Sequence, residues 1–233
     1  MSADLAPCPY GLCDGSGFVE DPETNTARDC RCRPVRVASA RARALEARIP
    51  KRYRDVAFDR FPVTEIEPTV VDVVRRFCHE IEANLDAGRG LWLEGNPGTG
   101  KTTLAMLVSK AAIESHRTTA IYSLPRLMGV LRESIDSEDG LLNLLDRLAT
   151  VDLLHLDDLG AEHRTDWVLE QLYSIVNTRY EEQRSIILTT NATEDELADQ
   201  IGARTVSRLR EMCGDPLALF GHDRRREFDP SPR

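Results

Sequence analysis

The sequence contains no long hydrophobic stretch. No apolar run in the 233 residues approaches the roughly 20 residues that a membrane-spanning helix requires. The first ten residues also lack the basic segment followed by an apolar stretch that marks a secretory signal. We therefore expect a cytoplasmic protein that has no membrane partner.

The sequence also lacks a net positive charge. Its formal net charge of -9 argues against a protein that coats nucleic acid by bulk charge. The charge is uneven, because basic residues greatly outnumber acidic ones between Arg28 and Arg54. Such a segment can contact a partner or a phosphate backbone, or it can be a solvated helix and linker. The sequence leaves both alternatives open.

Four of the six cysteines lie in the first 32 residues, at Cys8, Cys13, Cys30 and Cys32. This segment has too little apolar content to fold on a hydrophobic core alone, and a metal ion would supply the missing stability. Four thiolates satisfy tetrahedral Zn²⁺, and clustered cysteines in a cytosolic chain are more often metal ligands than disulfides. The C-x₄-C and C-x-C spacings depart from the usual C-x₂-C pairs, so reduced free thiols are the alternative.

The pattern along the chain predicts three parts. Residues 1–34 form the zinc-binding module, and residues 35–68 form a helix, expected over 36–48, and a linker that follows it. From residue 69 to residue 233, helical and strand periodicities alternate, which predicts an α/β domain with a parallel sheet flanked by helices. The predicted strands are 90–94, 119–123, 151–156 and 185–190, and the predicted helices are 70–85, 103–115, 125–135, 141–148 and 166–182.

A glycine-rich loop lies between the first predicted strand of this domain and the helix that follows. It fits the pattern G-x-x-x-x-G-K-[ST], whose glycines let backbone N–H groups wrap around phosphate oxygens. Lys101 would reach the β- and γ-phosphates, and the Thr102 hydroxyl would ligate Mg²⁺. We therefore expect ATP and Mg²⁺ to bind at Gly95, Asn96, Pro97, Gly98, Thr99, Gly100, Lys101, Thr102 and Thr103.

Polar residues follow two further predicted strands. Asp157 and Asp158 end an apolar strand, where ligands bind in open α/β sheets. Asp157 would hold Mg²⁺, and Asp158 would orient or deprotonate the attacking water; the alternative is a pair of helix-capping aspartates. Asn191 could hold that water or contact the γ-phosphate, or it could simply form a turn. His155 lies within the strand and is expected to be a core histidine.

The last part of the sequence is rich in arginine. An arginine that one subunit presents to the ATP of another can stabilise transition-state charge. For any single arginine, a solvated surface position is the better interpretation from the sequence alone. The candidates are Arg204, Arg208, Arg210 and the run from Arg224 to Arg226.

These elements, in this order, resemble the AAA+ ATPases of the DnaC/DnaI helicase-loader and IstB group. The resemblance covers about residues 49–228 and includes the segments 49–53, 58–61, 156–162, 177–180 and 202–209. It implies Walker A at Gly95 to Thr102, Walker B at Asp157 and Asp158, sensor 1 at Asn191 and an arginine finger acting in trans at Arg208. It also implies sensor 2 at one of the residues from Arg224 to Arg226, with Arg226 preferred.

The resemblance also implies an architecture and a function. It implies an AAA+ core without a large C-terminal lid domain, in which the helices within 125–148 face single-stranded DNA. The implied function is ATP-dependent loading of a replicative DNA helicase by an oligomer that associates through its ATP sites, with hydrolysis triggering release. The alternative is an IstB-like transposition helper that acts on duplex DNA. A zinc-binding N-terminus favours the loader, and a third possibility is a non-catalytic nucleotide-sensing adaptor.

Overall fold

The structure is a computed structural model of the protein, and it describes residues 7–21, 26–34, 36, 49–134, 140–160 and 165–221. Two predictions fall on other residues. Apart from Arg36, the expected helix over 36–48 lies outside the described residues, and so does the whole run from Arg224 to Arg226.

An antiparallel hairpin separates the two pairs of N-terminal cysteines. Its strands are β1 (Phe18–Asp21) and β2 (Thr26–Asp29), with Phe18 opposite Asp29. The N–H group of Cys30 donates to the carbonyl of Gly17 at 2.8 Å and closes the open end of the hairpin. The hairpin therefore brings the end of the first cysteine segment back to the start of the second. The sequence pattern did not predict it.

A five-stranded sheet forms the centre of the nucleotide-binding part, and every neighbouring pair in it is parallel. Its strand order, β4-β5-β6-β3-β7, confirms the predicted α/β architecture with a parallel sheet. The three central strands are almost wholly buried, as expected when helices cover both faces. The strands are β3 (Leu91–Gly95), β4 (Thr119–Ser123), β5 (Leu153–Leu159), β6 (Ser185–Thr190) and β7 (Leu217–Leu219).

Helices pack on both faces of this sheet. They are α1 (Pro68–His79), α2 (Ile81–Asp86), α3 (Lys101–Glu114), α4 (Leu124–Glu133), α5 (Gly140–Thr150), α6 (Asp166–Glu181), α7 (Glu194–Ile201) and α8 (Ala203–Cys213), and short 3₁₀ turns occupy Lys51–Tyr53 and Val63–Glu65. After β6, the described residues form α7, α8 and β7 on the same core, without a separate lid domain. None of the helices described here combines the length and the apolar character needed to cross a bilayer.

The prediction of a single helix over 70–85 is wrong, because the helix is interrupted at Glu80, between α1 and α2. Glu80 leaves the helical region, with φ -102° and ψ 25°. The buried side chain of Asn84 donates to the carbonyl of Phe77 at 3.2 Å and so satisfies a backbone group at the end of α1. Phe77 and Ile81 are four residues apart, so the apolar spacing continues across the break and hides it in the sequence.

The segment that precedes α1 packs on the core. Val56, Val63 and Ile66 are buried in the same hydrophobic cluster as Leu93 of β3 and Leu104 of α3. Residues 49–68, the described part of the predicted linker apart from Arg36, therefore contact the sheet and its helices directly. The division of the chain at residue 69 stays a prediction.

Arg179 of α6 is completely buried and joins three elements on the side of the sheet where β5 and β6 begin. Burial and the neighbouring Arg184 lower the pKa of Arg179 to about 9, so the guanidinium stays charged at neutral pH. Carbonyl oxygens at a helix C-terminus and at strand starts compensate that charge. The guanidinium donates, at 2.5–3.4 Å, to the carbonyls of Leu148, Ala149, Val151, Asp152 and Ser185.

Replacing this arginine should destabilise the whole domain. We expect Arg179→Met to lower the free energy of unfolding by about 3 kcal/mol or more, because several buried carbonyls lose their donors at about 1–3 kcal/mol each. The control is Arg184→Met, whose side chain is 39% exposed and pairs with Asp152 at 3.4 Å. It should lose about 1 kcal/mol or less. Urea denaturation measures both values, and equal losses would contradict the role of Arg179.

Candidate functional site

The glycine-rich loop connects β3 to α3 and has a shape that only glycine permits. Gly95, Gly98 and Gly100 have φ values of 135°, 78° and 104°. A Cβ atom on Gly95 would lie 1.9 Å from the carbonyl oxygen of Leu219 in β7, and one on Gly100 would lie 2.3 Å from the side chain of Ile66. The predicted Walker A glycines therefore allow both the turn and the close packing around it.

The loop leads into the start of α3, where no side chain caps the helix. The first N–H groups of an uncapped helix and the N–H groups of a glycine-rich loop favour a bound phosphate. Lys101 is 6% exposed, and its Nζ donates to the carbonyls of Gly95 and Asn96 at 2.7 Å each. Thr99 donates to the carbonyl of Asn96 at 2.8 Å. Thr103, by contrast, lies on the buried face of α3.

One carboxylate oxygen joins the loop to the sheet. Asp157 Oδ1 accepts hydrogen bonds from Thr102 Oγ1 at 2.9 Å and from Thr189 Oγ1 at 2.8 Å. Burial alone raises the pKa of Asp157, but the imidazole of His155 and the two hydroxyls outweigh it and hold the pKa below its usual value. The residue is therefore a carboxylate at neutral pH. A carboxylate beside a threonine hydroxyl offers the oxygen ligands that Mg²⁺ prefers.

A β-bulge places the second aspartate beside the first. Leu156 pairs with Leu188 and Leu159 with Thr190, so β5 contains one more residue than β6 between these pairs. Asp158 adopts a left-handed conformation with φ 61°, and its N–H donates to Thr189 Oγ1 at 2.8 Å. The strand predicted to end at residue 156 therefore continues to residue 159.

The structure brings Asn191 to this pair of carboxylates. Asn191 directly follows β6, and its Nδ2 donates to Asp158 Oδ1 at 2.8 Å. The strand order places β6 between β5 and β3, so the ends of all three strands converge beside the glycine-rich loop. The residues predicted as Walker A, Walker B and sensor 1 thus form one continuous set of contacts.

His155 lies behind the carboxylates in the core. It is completely buried, and its Nδ1 lies 2.9 Å from Ser109 Oγ of α3. Its Nε2 lies 3.9 Å from Asp157 Oδ1, and among the described residues it has no hydrogen-bond partner. The burial agrees with the prediction of a core histidine, although the ring contributes to the electrostatics of Asp157.

Arg208 is not part of this set of hydrogen bonds. It is on α8, and its guanidinium is stacked over the rings of Tyr173 at 4.8 Å and Tyr180 at 5.8 Å, both on α6. Arg204 is exposed on the same helix, whereas Arg210 forms ion pairs with two acidic side chains, those of Glu194 and Asp215. The contacts of Arg208 are therefore with α6 rather than with the glycine-rich loop, and its role in trans stays a prediction.

Residues 72–208 match the model of a protein family described as IstB-like ATP binding proteins. The chain belongs to this family. The glycine-rich loop, both aspartates, Asn191 and Arg208 all lie within the matched residues.

Similar proteins extend the comparison beyond the family model. Over 210 residues this IstB-like protein is 26% identical to YqaM of Bacillus subtilis (strain 168), covering 85% of this chain and 64% of YqaM. Over 151 residues it is 27% identical to the replicative helicase loader DnaI of the same organism, covering 59% of this chain and 48% of DnaI. The chain thus spans less than two thirds of the length of either relative.

The fold of this IstB-like protein is that of AAA+ proteins. A crystal structure of the DnaC helicase loader matches it with a TM-score of 0.64 and 29% sequence identity, over 74% of this chain and all of that one. A crystal structure of DnaI matches with a TM-score of 0.57 and 24% identity, over 76% of this chain and 94% of the other. The AAA+ resemblance expected from the motifs is therefore confirmed.

A second cluster lies in the N-terminal part of this IstB-like chain, where the structure brings the four predicted cysteines together. Their sulfur atoms all lie within 4.8 Å of one another. Cys8 Sγ is 3.8 Å from Cys30 Sγ, and Cys13 Sγ is 3.6 Å from Cys32 Sγ. Zinc–sulfur bonds of about 2.3 Å in a tetrahedron place sulfurs about 3.8 Å apart, whereas a disulfide needs about 2.0 Å. The cluster could therefore hold a metal ion.

The chemistry of these thiols also fits a cation. Desolvation raises the pKa of Cys8, but backbone N–H groups of Leu12, Tyr10 and Cys13 outweigh it and lower the pKa to about 6. Desolvation and the neighbouring sulfurs instead raise the pKa of Cys32. A negative charge on one sulfur thus opposes the ionisation of Cys32, and a bound cation would remove that opposition.

Sequence reasoning missed Thr189, the residue that joins the two aspartates. Its hydroxyl donates to Asp157 and accepts from the N–H of Asp158. Thr189 lies in the wholly buried strand Ser185–Thr190, where a threonine packs as readily as a valine. Its position beside the Asp158 bulge follows from the register of β5 on β6, which no sequence pattern displays.

Removing the Thr189 hydroxyl should impair hydrolysis but not nucleotide binding. We expect Thr189→Val to lower the ATP hydrolysis rate about tenfold, because Asp157 and the N–H of Asp158 both lose the hydroxyl that aligns them, and each such hydrogen bond contributes about 0.5–1.5 kcal/mol. Nucleotide affinity should persist, since the glycine-rich loop is untouched. Thr189→Ser keeps the hydroxyl and should retain most of the rate. A wild-type rate in the valine variant would show that Thr189 does not organise the aspartates.

Proposed function

We propose that this protein is an ATPase that loads a replicative DNA helicase. The observation that carries the proposal is the unbroken set of hydrogen bonds from Thr102 through Asp157 and Thr189 to Asp158 and Asn191. Membership of the IstB-like ATP-binding family and similarity to named helicase loaders support it.

The side chains at the site have separate tasks in this proposal. The loop N–H groups and Lys101 bind the phosphates of ATP, and Thr102 and Asp157 hold Mg²⁺. When bound, Mg²⁺ neutralises charge on the phosphates. Asp158 orients the attacking water and accepts its proton, and Asn191 fixes the direction of the Asp158 carboxylate by its hydrogen bond.

Two arginines complete the proposed site. Arg208 acts on the ATP of a neighbouring subunit, so that hydrolysis requires self-association through the ATP sites. The residue is half-buried, and its guanidinium contacts the rings of α6 rather than the glycine-rich loop of its own chain, which supports a role in trans. Arg226 acts as sensor 2 within the chain; this assignment rests on the family resemblance alone.

The proposed partners are a ring helicase and single-stranded DNA. Several relatives are named replicative helicase loaders, among them DnaI of Bacillus subtilis and DnaC of Escherichia coli. Helices α4 and α5 face the DNA in this proposal, and Arg126 and Arg132 are exposed on α4. Their positive charge suits a phosphate backbone. Hydrolysis then releases the loader.

The four clustered cysteines hold Zn²⁺ in this proposal, and the zinc-bound segment docks on the helicase. Their sulfur separations support a tetrahedral ion. We expect purified protein to contain about one zinc per chain by elemental analysis. The double variant Cys8→Ser, Cys13→Ser should lose the metal, because two thiolates do not close a structural zinc site. Nucleotide binding should persist.

Cys78→Ser provides the matched control, since Cys78 lies on α1, outside the cluster of four cysteines. It should retain the zinc. The assignment of the cluster would be contradicted if the purified wild-type protein contained no zinc, or if the double variant contained as much zinc as the wild type.

The loader proposal is tested with a variant arrested before hydrolysis. Asp158→Asn keeps the loop and Asp157, so it should bind ATP and remain assembled with its partner. We expect this variant, immobilised with ATP, to capture the replicative ring helicase from a lysate of its own cells, as identified by mass spectrometry. Lys101→Ala, which removes the phosphate-binding ammonium, is the control and should capture none.

The same experiment separates the alternative functions. Capture of a transposase, or of duplex DNA alone, would move the assignment to an IstB-like transposition helper; the family match is consistent with both functions. Capture of the helicase by Asp158→Asn, with no ATP hydrolysis by the wild-type protein, would instead indicate a non-catalytic nucleotide-sensing adaptor. Equal capture by Lys101→Ala would contradict control of the partner by ATP.

A further inference from the structure

The surroundings of Arg208 are unusual for a half-exposed arginine. Its guanidinium lies over two aromatic rings, Tyr173 at 4.8 Å and Tyr180 at 5.8 Å, within the range of cation–π attraction. In the part of the chain that the structure describes, no carboxylate oxygen lies within ion-pair distance of it. The rings therefore hold the cation without occupying its N–H donors.

A carboxylate that could pair with Arg208 is close by. Glu211 is exposed and lies three residues further along α8, a spacing at which opposite charges on a helix normally meet. The structure shows a different contact, in which Tyr180 Oη donates to Glu211 Oε2 at 2.6 Å. The hydrogen bond and the negative charge of Glu211 raise the pKa of Tyr180, so the phenol stays protonated and remains a donor.

Tyr180 thus acts on the arginine in two ways. Its ring supports the guanidinium, and its hydroxyl holds Glu211 in a different contact. A guanidinium held by ring faces alone keeps its planar fork of donors for a phosphate. An arginine already paired with a carboxylate would first have to break that pair.

We propose that Tyr180 is a positioning residue that keeps the N–H donors of Arg208 available for the phosphates of a neighbouring subunit's ATP. Its ring supports the guanidinium, and its hydroxyl binds Glu211. This inference rests on the proposed function, in which Arg208 acts in trans. Tyr173 supports the same guanidinium with its ring.

A mixing experiment isolates this role. The acceptor chain carries Arg208→Ala, so it binds ATP but presents no finger. The donor chain carries Lys101→Ala, so it presents Arg208 but does not hydrolyse ATP itself. The increase in the hydrolysis rate of the acceptor when the donor is added measures only what the donor's Arg208 contributes in trans. Circular dichroism confirms that each donor variant is folded.

Tyr180→Phe in the donor keeps the ring and removes the hydroxyl. We expect the stimulated rate to fall about twofold to fivefold, because Glu211 becomes free to pair with Arg208 and an exposed pair competes by about that factor. Adding Glu211→Gln to the same donor removes the competing charge and should restore the rate. A purely structural role for the hydroxyl would not produce this rescue.

The outcomes distinguish the inference from the proposed function. Full stimulation by the Tyr180→Phe donor, or a loss that Glu211→Gln does not restore, overturns the role of Tyr180 and leaves Arg208 as the finger. A further donor carries Arg208→Ala as well as Lys101→Ala. Equal stimulation by that donor, or no stimulation by any donor, rejects the action of Arg208 in trans and the role of Tyr180 with it.

Discussion

The site depends on one carboxylate oxygen. Asp157 Oδ1 accepts from Thr102 at the start of α3 and from Thr189 in β6, while Asp157 itself belongs to β5. Three elements that are distant in the sequence are therefore held within hydrogen-bond distance of one atom. The parallel sheet makes this possible, because it places β6 beside β5 and the loop after β3 at the same edge.

The bulge at Asp158 lets two consecutive aspartates serve the same site. In a regular strand, successive side chains point to opposite faces of the sheet, so two consecutive aspartates could not serve one site. The extra residue in β5 and the left-handed backbone of Asp158 remove that restriction. A non-glycine residue with positive φ costs free energy, and two hydrogen bonds offset it: the N–H of Asp158 donates to Thr189, and the Asn191 amide donates to the Asp158 carboxylate.

The sequence was informative wherever the signal is local. The glycine-rich loop, the apolar run before Asp157 and the position of Asn191 after a buried strand are each visible in a few consecutive residues. Thr189 and Arg179 were not predicted, because their roles depend on which backbone groups the fold brings to them. The break at Glu80 was hidden because apolar spacing crosses it, and β7 is too short, at three residues, to show a period. The two rings beside Arg208 likewise become apparent only when α6 and α8 are packed together.

Arg179 has a mechanical consequence. It ties the last turn of α5 to the starting residues of β5 and β6, whose opposite ends carry the two aspartates and Asn191. Strands in a hydrogen-bonded sheet resist stretching, so a movement at one end of a strand is passed to its other end. A displacement of α5 along its axis would therefore be transmitted along these strands to the nucleotide site. The fully buried side chain of Arg179 is the connection between α5 and the strands.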